Sequence, residues 1–212
     1  MQEISMGNNK VEFIAVDLQN EFTHLKGKYC SVGNSVKFIQ SVLFPYLSNH
    51  HLKVNEIISD YRQPRHSKSG SYCIPGDFGY ESIIPNELKK TDIWVKSMHN
   101  PTWIRTQNNP SSFLDYPKPE PQQFSDWLKR NIGGNDVIIF GETLDVCVYA
   151  LAQELYYRGY RVYILYEATD PMNERLEHKD SIAYHTGLSV YAKVIHFDEM
   201  KTMIGTNEGT NL

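Results

Sequence analysis

Apolar residues along this chain fall into short β-branched runs separated by stretches with helical spacing. Residues 11–16 (Val-Glu-Phe-Ile-Ala-Val) read as a buried strand ending at Asp17, and residues 54–59 as a second ending at Asp60. Residues 93–95 (Ile-Trp-Val) form a third, followed by Lys96, and residues 136–140 a fourth that runs into Gly141. Residues 161–166 and 191–195 complete the set. Between them, Val36, Ile39, Val42, Leu43 and Leu47 predict a helix over 36–47, with Asn34 or Ser35 as N-cap. Pro45 is expected to kink or end it. Residues 122–131 and 145–158 read as helices stopped by Gly133-Gly134 and Gly159. Asp170-Pro171 reads as the N-cap and first-turn proline of another. Residues 61–90 and 97–121 read as loops, and 201–212 as a mobile or interface-bound tail.

Strands alternating with helices predict an α/β fold: a six-stranded, mainly parallel sheet with helices on both faces, a Rossmann-like three-layer sandwich. One domain over 1–212 accommodates it. In such sheets ligands bind beyond the carboxyl ends of the strands. That rule gathers Asp17, Asp60, Lys96 and the turn 141–147 at one edge.

Composition narrows the function classes. Hydrophobic residues are 41% and charged residues 22%, enough for a core and too few charges for a disordered chain. Net charge is −4 with no long run of one sign, which argues against a nucleic-acid partner. The apolar runs are strand-length, so no membrane span is expected, and Met1 to Asn9 is too polar for a secretory signal. Three widely spaced cysteines, Cys30, Cys73 and Cys147, form no disulfide framework and fit a reducing cytoplasm.

The strongest local signal is Gly141-Glu142-Thr143-Leu144-Asp145-Val146-Cys147-Val148, a buried strand turning at Gly into a helix that starts with a cysteine. The positive end of a helix favours thiolate, and its N–H groups can receive an oxyanion. A lone cysteine is more often a buried apolar residue, the reading given to Cys30 and Cys73. Asp17 and Lys96 shift the balance for Cys147. A carboxylate can take the thiol proton and return it to a leaving nitrogen, and an ammonium limits repulsion between two anions.

These segments resemble the isochorismatase-like cysteine hydrolases, which include nicotinamidases, N-carbamoylsarcosine amidases and ureidoacrylate amidases. Asp17-Leu18-Gln19-Asn20-Glu21-Phe22 is similar to the family's Asp-x-Gln-x-x-Phe. Residues 75–81 resemble Pro-Gly-Thr-x-Gly-x-Glu with Asp77 for Thr, and 141–148 resemble Gly-x-x-Thr-Asp-x-Cys-Val with Leu144 for Thr. Ile93 to Lys96, Gly159 to Val162 and Glu167-Ala168-Thr169 match further pieces in order, so that the likeness spans about residues 11–195. The resemblance implies an Asp17, Lys96 and Cys147 triad, an oxyanion hole from the N–H groups of Thr143 and Cys147, and a cis peptide at Glu142–Thr143. It also implies a homodimer or homotetramer and a small-molecule substrate. Asp145 is expected to orient the turn. Members acting on isochorismate cleave a vinyl ether without this cysteine, so Cys147 tilts the expectation toward C–N hydrolysis.

The departures concern metal. Asp60-Tyr61-Arg62-Gln63-Pro64-Arg65-His66 and Tyr72-Cys73 resemble the nicotinamidase segments in which one Asp and two His bind a divalent ion, but Arg62 and Tyr72 stand at the two histidine positions. A guanidinium offers a metal no lone pair and a neutral phenol is a poor ligand, so no metal or other cofactor is expected. Arg62 either pairs with Asp60 or reaches a substrate carboxylate. Phe22, Tyr72, Phe78 and Trp103 either wall the pocket or pack elsewhere, with Asp60 and Arg62 beside them as candidate substrate contacts; His99 and Asn100 are further candidates, and His66 reads as an exposed loop residue rather than a ligand. The alternatives are a nicotinamidase with altered metal ligands and a family member that serves only as a binding module. No phosphate-binding glycine motif follows a strand, which argues against a nucleotide-binding domain.

Overall fold

A computed structural model of the chain describes residues 10–66, 68–105 and 115–208, with side chains to residue 205. The first nine residues, residue 67, the stretch 106–114 of the second loop and the last four residues of the tail lie outside it. In chain order the elements are β1 (Val11–Val16), α1 (Asn20–Thr23), α2 (Ser35–Phe38), α3 (Phe44–Asn49), β2 (Val54–Ser59), β3 (Trp94–Lys96), β4 (Trp103–Ile104) and β5 (Lys118–Pro119). They continue as α4 (Pro121–Asn131), β6 (Asp136–Glu142), α5 (Tyr149–Tyr157), β7 (Arg161–Asp170), α6 (Lys179–His185), α7 (Leu188–Tyr191), β8 (Lys193–Ile195) and α8 (Phe197–Glu208).

Six strands pair in the order β3-β2-β1-β6-β7-β8, every pair parallel. The central strands are apolar on both faces, as burial between two helical layers requires. Ile14 and Val16 of β1 and Val137 and Ile139 of β6 face a cluster with Phe124, Trp127, Val148 and Leu151, from α4, α5 and the turn before α5. Their alternates Phe13, Ala15, Ile138 and Phe140 face Ile39, Leu43, Leu47, Met200 and Ile204. This is the α/β three-layer architecture the alternation predicts.

Three local expectations are corrected. Pro45 does not stop its helix: α2 and α3 are joined by a π-helical turn, Ile39–Leu43, in which the Phe44 N–H reaches back to the Ile39 carbonyl. The wider turn relieves the clash between a proline ring and the turn before it. Asp170 caps no helix of its own. It ends β7, and its Oδ2 accepts the Ser35 N–H at 2.8 Å, capping α2 from the end of that strand, while Lys179 Nζ donates to Oδ1 at 2.9 Å. Of the stretch read as a tail, residues 201–208 belong to α8, because Met200 and Ile204, spaced one helical turn apart, are buried in the second cluster with Met203 packed against it. Among the described residues no helix is long and apolar enough to cross a membrane.

Candidate active site

Register assembles the site. Val16 of β1 lies opposite both Ile57 of β2 and Gly141 of β6, and Ser59 of β2 lies opposite Lys96 of β3. Four adjacent strands therefore end together, bringing Asp17, Ser59, Lys96 and the turn before Cys147 to one edge although 130 positions separate Asp17 from Cys147. Gly141 is required here. Its φ is +118°, and a Cβ on it would lie 2.1 Å from the Val16 carbonyl oxygen. Asp17 itself takes the left-handed conformation, φ 53°, which Asp tolerates better than most residues. Its N–H is held by the Ile57 carbonyl at 2.9 Å.

Gln19 explains the third position of the Asp-x-Gln motif. Its Oε1 accepts the Ser59 N–H at 2.7 Å, and its Nε2 donates to the carbonyls of Ser59 (3.0 Å) and Tyr80 (3.1 Å). One amide thus ties the end of β2 to the loop before α1 and to the turn at residues 78–80.

At the centre the Lys96 ammonium donates at 2.7 Å to Asp17 Oδ2, Ser59 Oγ and Tyr61 Oη, and lies 3.5 Å from Cys147 Sγ. Ser59 Oγ donates in turn to Asp17 Oδ1 at 2.7 Å. Tyr61 Oη and His99 Nδ1 each lie 3.6 Å from the sulfur. Asp17, Lys96 and Tyr61 are each 1% exposed and Cys147 7%. Desolvation presses Lys96 to lose its proton, but the Asp17 carboxylate, and negative charge on the Cys147 sulfur when it forms, outweigh it and its pKa is raised.

The thiol departs from expectation. Desolvation pushes Cys147 up to about 12; Lys96 pulls it down, and the Asp17 charge together with a hydrogen bond to Asp17 pushes it up again. The resting group is therefore a neutral thiol sharing its proton with Asp17 rather than a standing thiolate, because burial outweighs the ammonium. Cys73 is raised chiefly by burial, and Cys30 likewise. Desolvation and then the Lys96 charge lower His99 to about 4, which keeps it neutral.

The peptide Glu142–Thr143 is cis, and a π-helical turn, Leu144–Val148, follows it into α5. The Thr143 carbonyl accepts the N–H groups of Val146 (3.2 Å) and Val148 (3.1 Å), on either side of Cys147. Asp145 holds the neighbouring segment: its Oδ1 accepts the Met172 N–H and its Oδ2 the Arg175 guanidinium, both at 3.1 Å. Glu142, 1% exposed, accepts a hydrogen bond from Ser35 Oγ at 2.6 Å. Desolvation, augmented by the nearby Asp170 charge, pushes its carboxyl up to about 8.

A cavity of about 650 Å³ opens onto the sulfur. Asp17, Cys147, Glu142, Thr143, His99 and Tyr61 line it, and Phe22, Tyr29 and Tyr72 form an aromatic wall. The remaining expected contacts lie off it. Arg62 is turned onto Asp60, with Nε to Oδ1 at 2.8 Å and Nη2 to Oδ2 at 2.5 Å. Trp103 packs edge-on against His66, at 5.5 Å between centroids, and Asn100 binds Glu154 and Thr102. Among the described residues no group of three or more His, Cys, Asp or Glu side chains could hold a metal ion. Ser59 and Tyr61 carry no site assignment in the sequence reading, and Gln19 stands there only as a motif position without a role. The signal available was position alone, since Ser59 and Tyr61 flank the end of an apolar strand.

No protein-family model matches the chain, and no curated protein sequence does. Solved structures do. An isochorismatase-like hydrolase from Alkaliphilus metalliredigens is 20% identical with a TM-score of 0.63, over 93% of this chain and 98% of its own. N-carbamoylsarcosine amidase from Thermoplasma acidophilum is 18% identical with a TM-score of 0.55, over 88% and 96%. A nicotinamidase from Staphylococcus aureus is 18% identical with a TM-score of 0.54, over 87% and 98%. The fold implied by the motifs is the fold observed.

Proposed function

We propose that this chain is a cysteine-dependent hydrolase of a C–N bond in a small amide, carbamoyl or ureido compound. The observation that carries the reading is one buried ammonium, Lys96, touching both Asp17 (2.7 Å) and the Cys147 sulfur (3.5 Å), two residues that line a cavity. The likeness in fold to hydrolases and amidases supports it.

In this mechanism Asp17 takes the thiol proton as Cys147 Sγ attacks the carbonyl carbon. The C–S bond forms and the carbonyl π pair moves to oxygen, where the N–H groups of Thr143 and Cys147 receive it. Collapse breaks the C–N bond, and the leaving nitrogen takes the proton from Asp17. Asp17 then removes a proton from water, whose oxygen attacks the thioester carbonyl. Collapse releases the acid and the sulfur, which recovers its proton. Lys96 stays protonated throughout and offsets the negative charge passed between Asp17 and sulfur. Lys28 and Lys68 on the cavity wall favour a substrate that also carries a carboxylate.

Ammonia release from a panel of amides, carbamoyl amino acids and ureas, with and without chelator, tests the reading. Turnover should survive chelation and fall by more than about a thousandfold in Cys147→Ala. Full turnover in that variant sinks the covalent route, and loss of turnover on chelation favours a metal-dependent nicotinamidase instead.

A further inference from the structure

We propose that Tyr61 is a fourth catalytic group, donating its phenolic hydrogen to the Cys147 sulfur as negative charge develops there. The inference rests on Cys147 being the nucleophile. It follows from counting hydrogens. The Lys96 ammonium has three and faces four acceptors, of which Asp17 Oδ2, Ser59 Oγ and Tyr61 Oη at 2.7 Å are nearer and stronger than the Cys147 sulfur at 3.5 Å and take them. Tyr61 Oη therefore accepts from Lys96. An ammonium has no lone pair with which to accept the phenol's own hydrogen. Ser59 directs its hydrogen to Asp17 Oδ1. Ser59 Oγ, also beside the phenol, already accepts from Lys96, which leaves the sulfur, 3.6 Å from Tyr61 Oη, as the acceptor not yet supplied with a hydrogen by Lys96. Lys96 thus acts on the sulfur twice, directly from 3.5 Å and through a phenol that it polarises.

The ring is held for this task. Its edge packs against Tyr72 with centroids 5.0 Å apart, and the Arg65 guanidinium lies 4.6 Å from its centroid and 4.8 Å from that of Tyr72. Arg65 is itself 4% exposed. The backbones of Tyr61 and Tyr72 exchange hydrogen bonds at 3.2 and 3.4 Å. Burial, and behind it the negative charge that develops on Cys147 and the charge of Asp17, raise the phenol well above its ordinary pKa, so the donor keeps its hydrogen through the reaction. A thiol that rests neutral needs such a donor more than a standing thiolate would, since its charge appears only during attack.

The test needs no knowledge of the substrate. Alkylation of Cys147 by iodoacetamide is followed on its own peptide by mass spectrometry between about pH 6 and pH 9, with Cys30 as internal reference. In Tyr61→Phe the rate at Cys147 should fall about tenfold across the range while Cys30 is unchanged, the equivalent of about one pH unit in the sulfur's proton affinity. Tyr61→3-fluorotyrosine keeps the ring's shape and makes the phenol a stronger donor. It should raise the rate at least about twofold, a direction that damaged packing would not produce. An unchanged rate in both variants, or equal slowing in both, overturns the proposal. So does undiminished turnover of a substrate by Tyr61→Phe. If the wild-type protein hydrolyses no amide but labelling still follows Tyr61 in both directions, the hydrolase reading falls and the hydrogen bond to sulfur stands.

Discussion

Glu142→Gln isolates a carboxyl group that the fold has buried at a cost. The side chain lies beside the cis peptide, with Ser35 Oγ on one oxygen and the other buried without a hydrogen-bond partner among the described residues. Burial, and then the neighbouring Asp170 charge, move its pKa from 4.5 to about 8. Between those values the folded chain holds a proton that the unfolded chain has released. Stability from this group is complete below pH 4.5 and is lost as pH rises through about 8. Each pH unit in that window costs about 1.4 kcal/mol, for a total of about 5 kcal/mol. Glutamine preserves the shape and cannot ionise. Urea denaturation of both proteins at unit steps across the window should show the variant gaining on the wild type by about 1.4 kcal/mol per step, and a constant difference above it. Taking the difference cancels the titration of every group that does not interact with Glu142. Parallel stability curves across the window would refute the assignment of a buried, protonated Glu142.

Two further outcomes follow from the same geometry. Gly141→Ala forces a side chain into a left-handed position against the Val16 carbonyl, and should lose about 3 kcal/mol or more in denaturant midpoint analysis; a loss within about 0.5 kcal/mol would mean that β1 and β6 separate easily. His99, lowered to about 4 first by burial and then by Lys96, should show no ring titration near its ordinary 6.5 by NMR. The unfolded chain then binds a proton before the folded one does, so this group removes stability as pH falls from 6.5 toward 4, and a midpoint near 6.5 would place the ring in water.

Much of this was legible in the chain itself, for identifiable reasons. β1, β2 and β6 are long enough and apolar enough on both faces for their polar end residues to mark the site. Ser59 and Tyr61, and the role of Gln19, depend on contacts made across strands, which periodicity along one segment does not encode. Asp170 misled because an Asp-Pro pair carries the local signature of a helix start, while its carboxylate caps a helix 135 residues away. Pro45 misled because the rule for proline assumes an α-helical turn before it, and a π-helical one intervenes. The end of the chain was underread: Phe197, Met200, Met203 and Ile204 carry helical spacing, obscured by the polar residues between them and after them. The aromatic wall was half read, with Phe22 and Tyr72 on it and Trp103 away from it, since a loop's composition does not say which way it folds back.

The parallel order of the sheet also sets when reactivity can arise during folding. Cys147 gains its neighbours only after β6 has docked on β1, β1 on β2 and β2 on β3, each joined through a crossover. Parallel pairings of this separation close late, because long loops must be ordered first. A reagent that reads the sulfur's environment, added at intervals during refolding, would therefore serve as a clock for the closure of the sheet, striking at a distinct rate once the four strand ends have met.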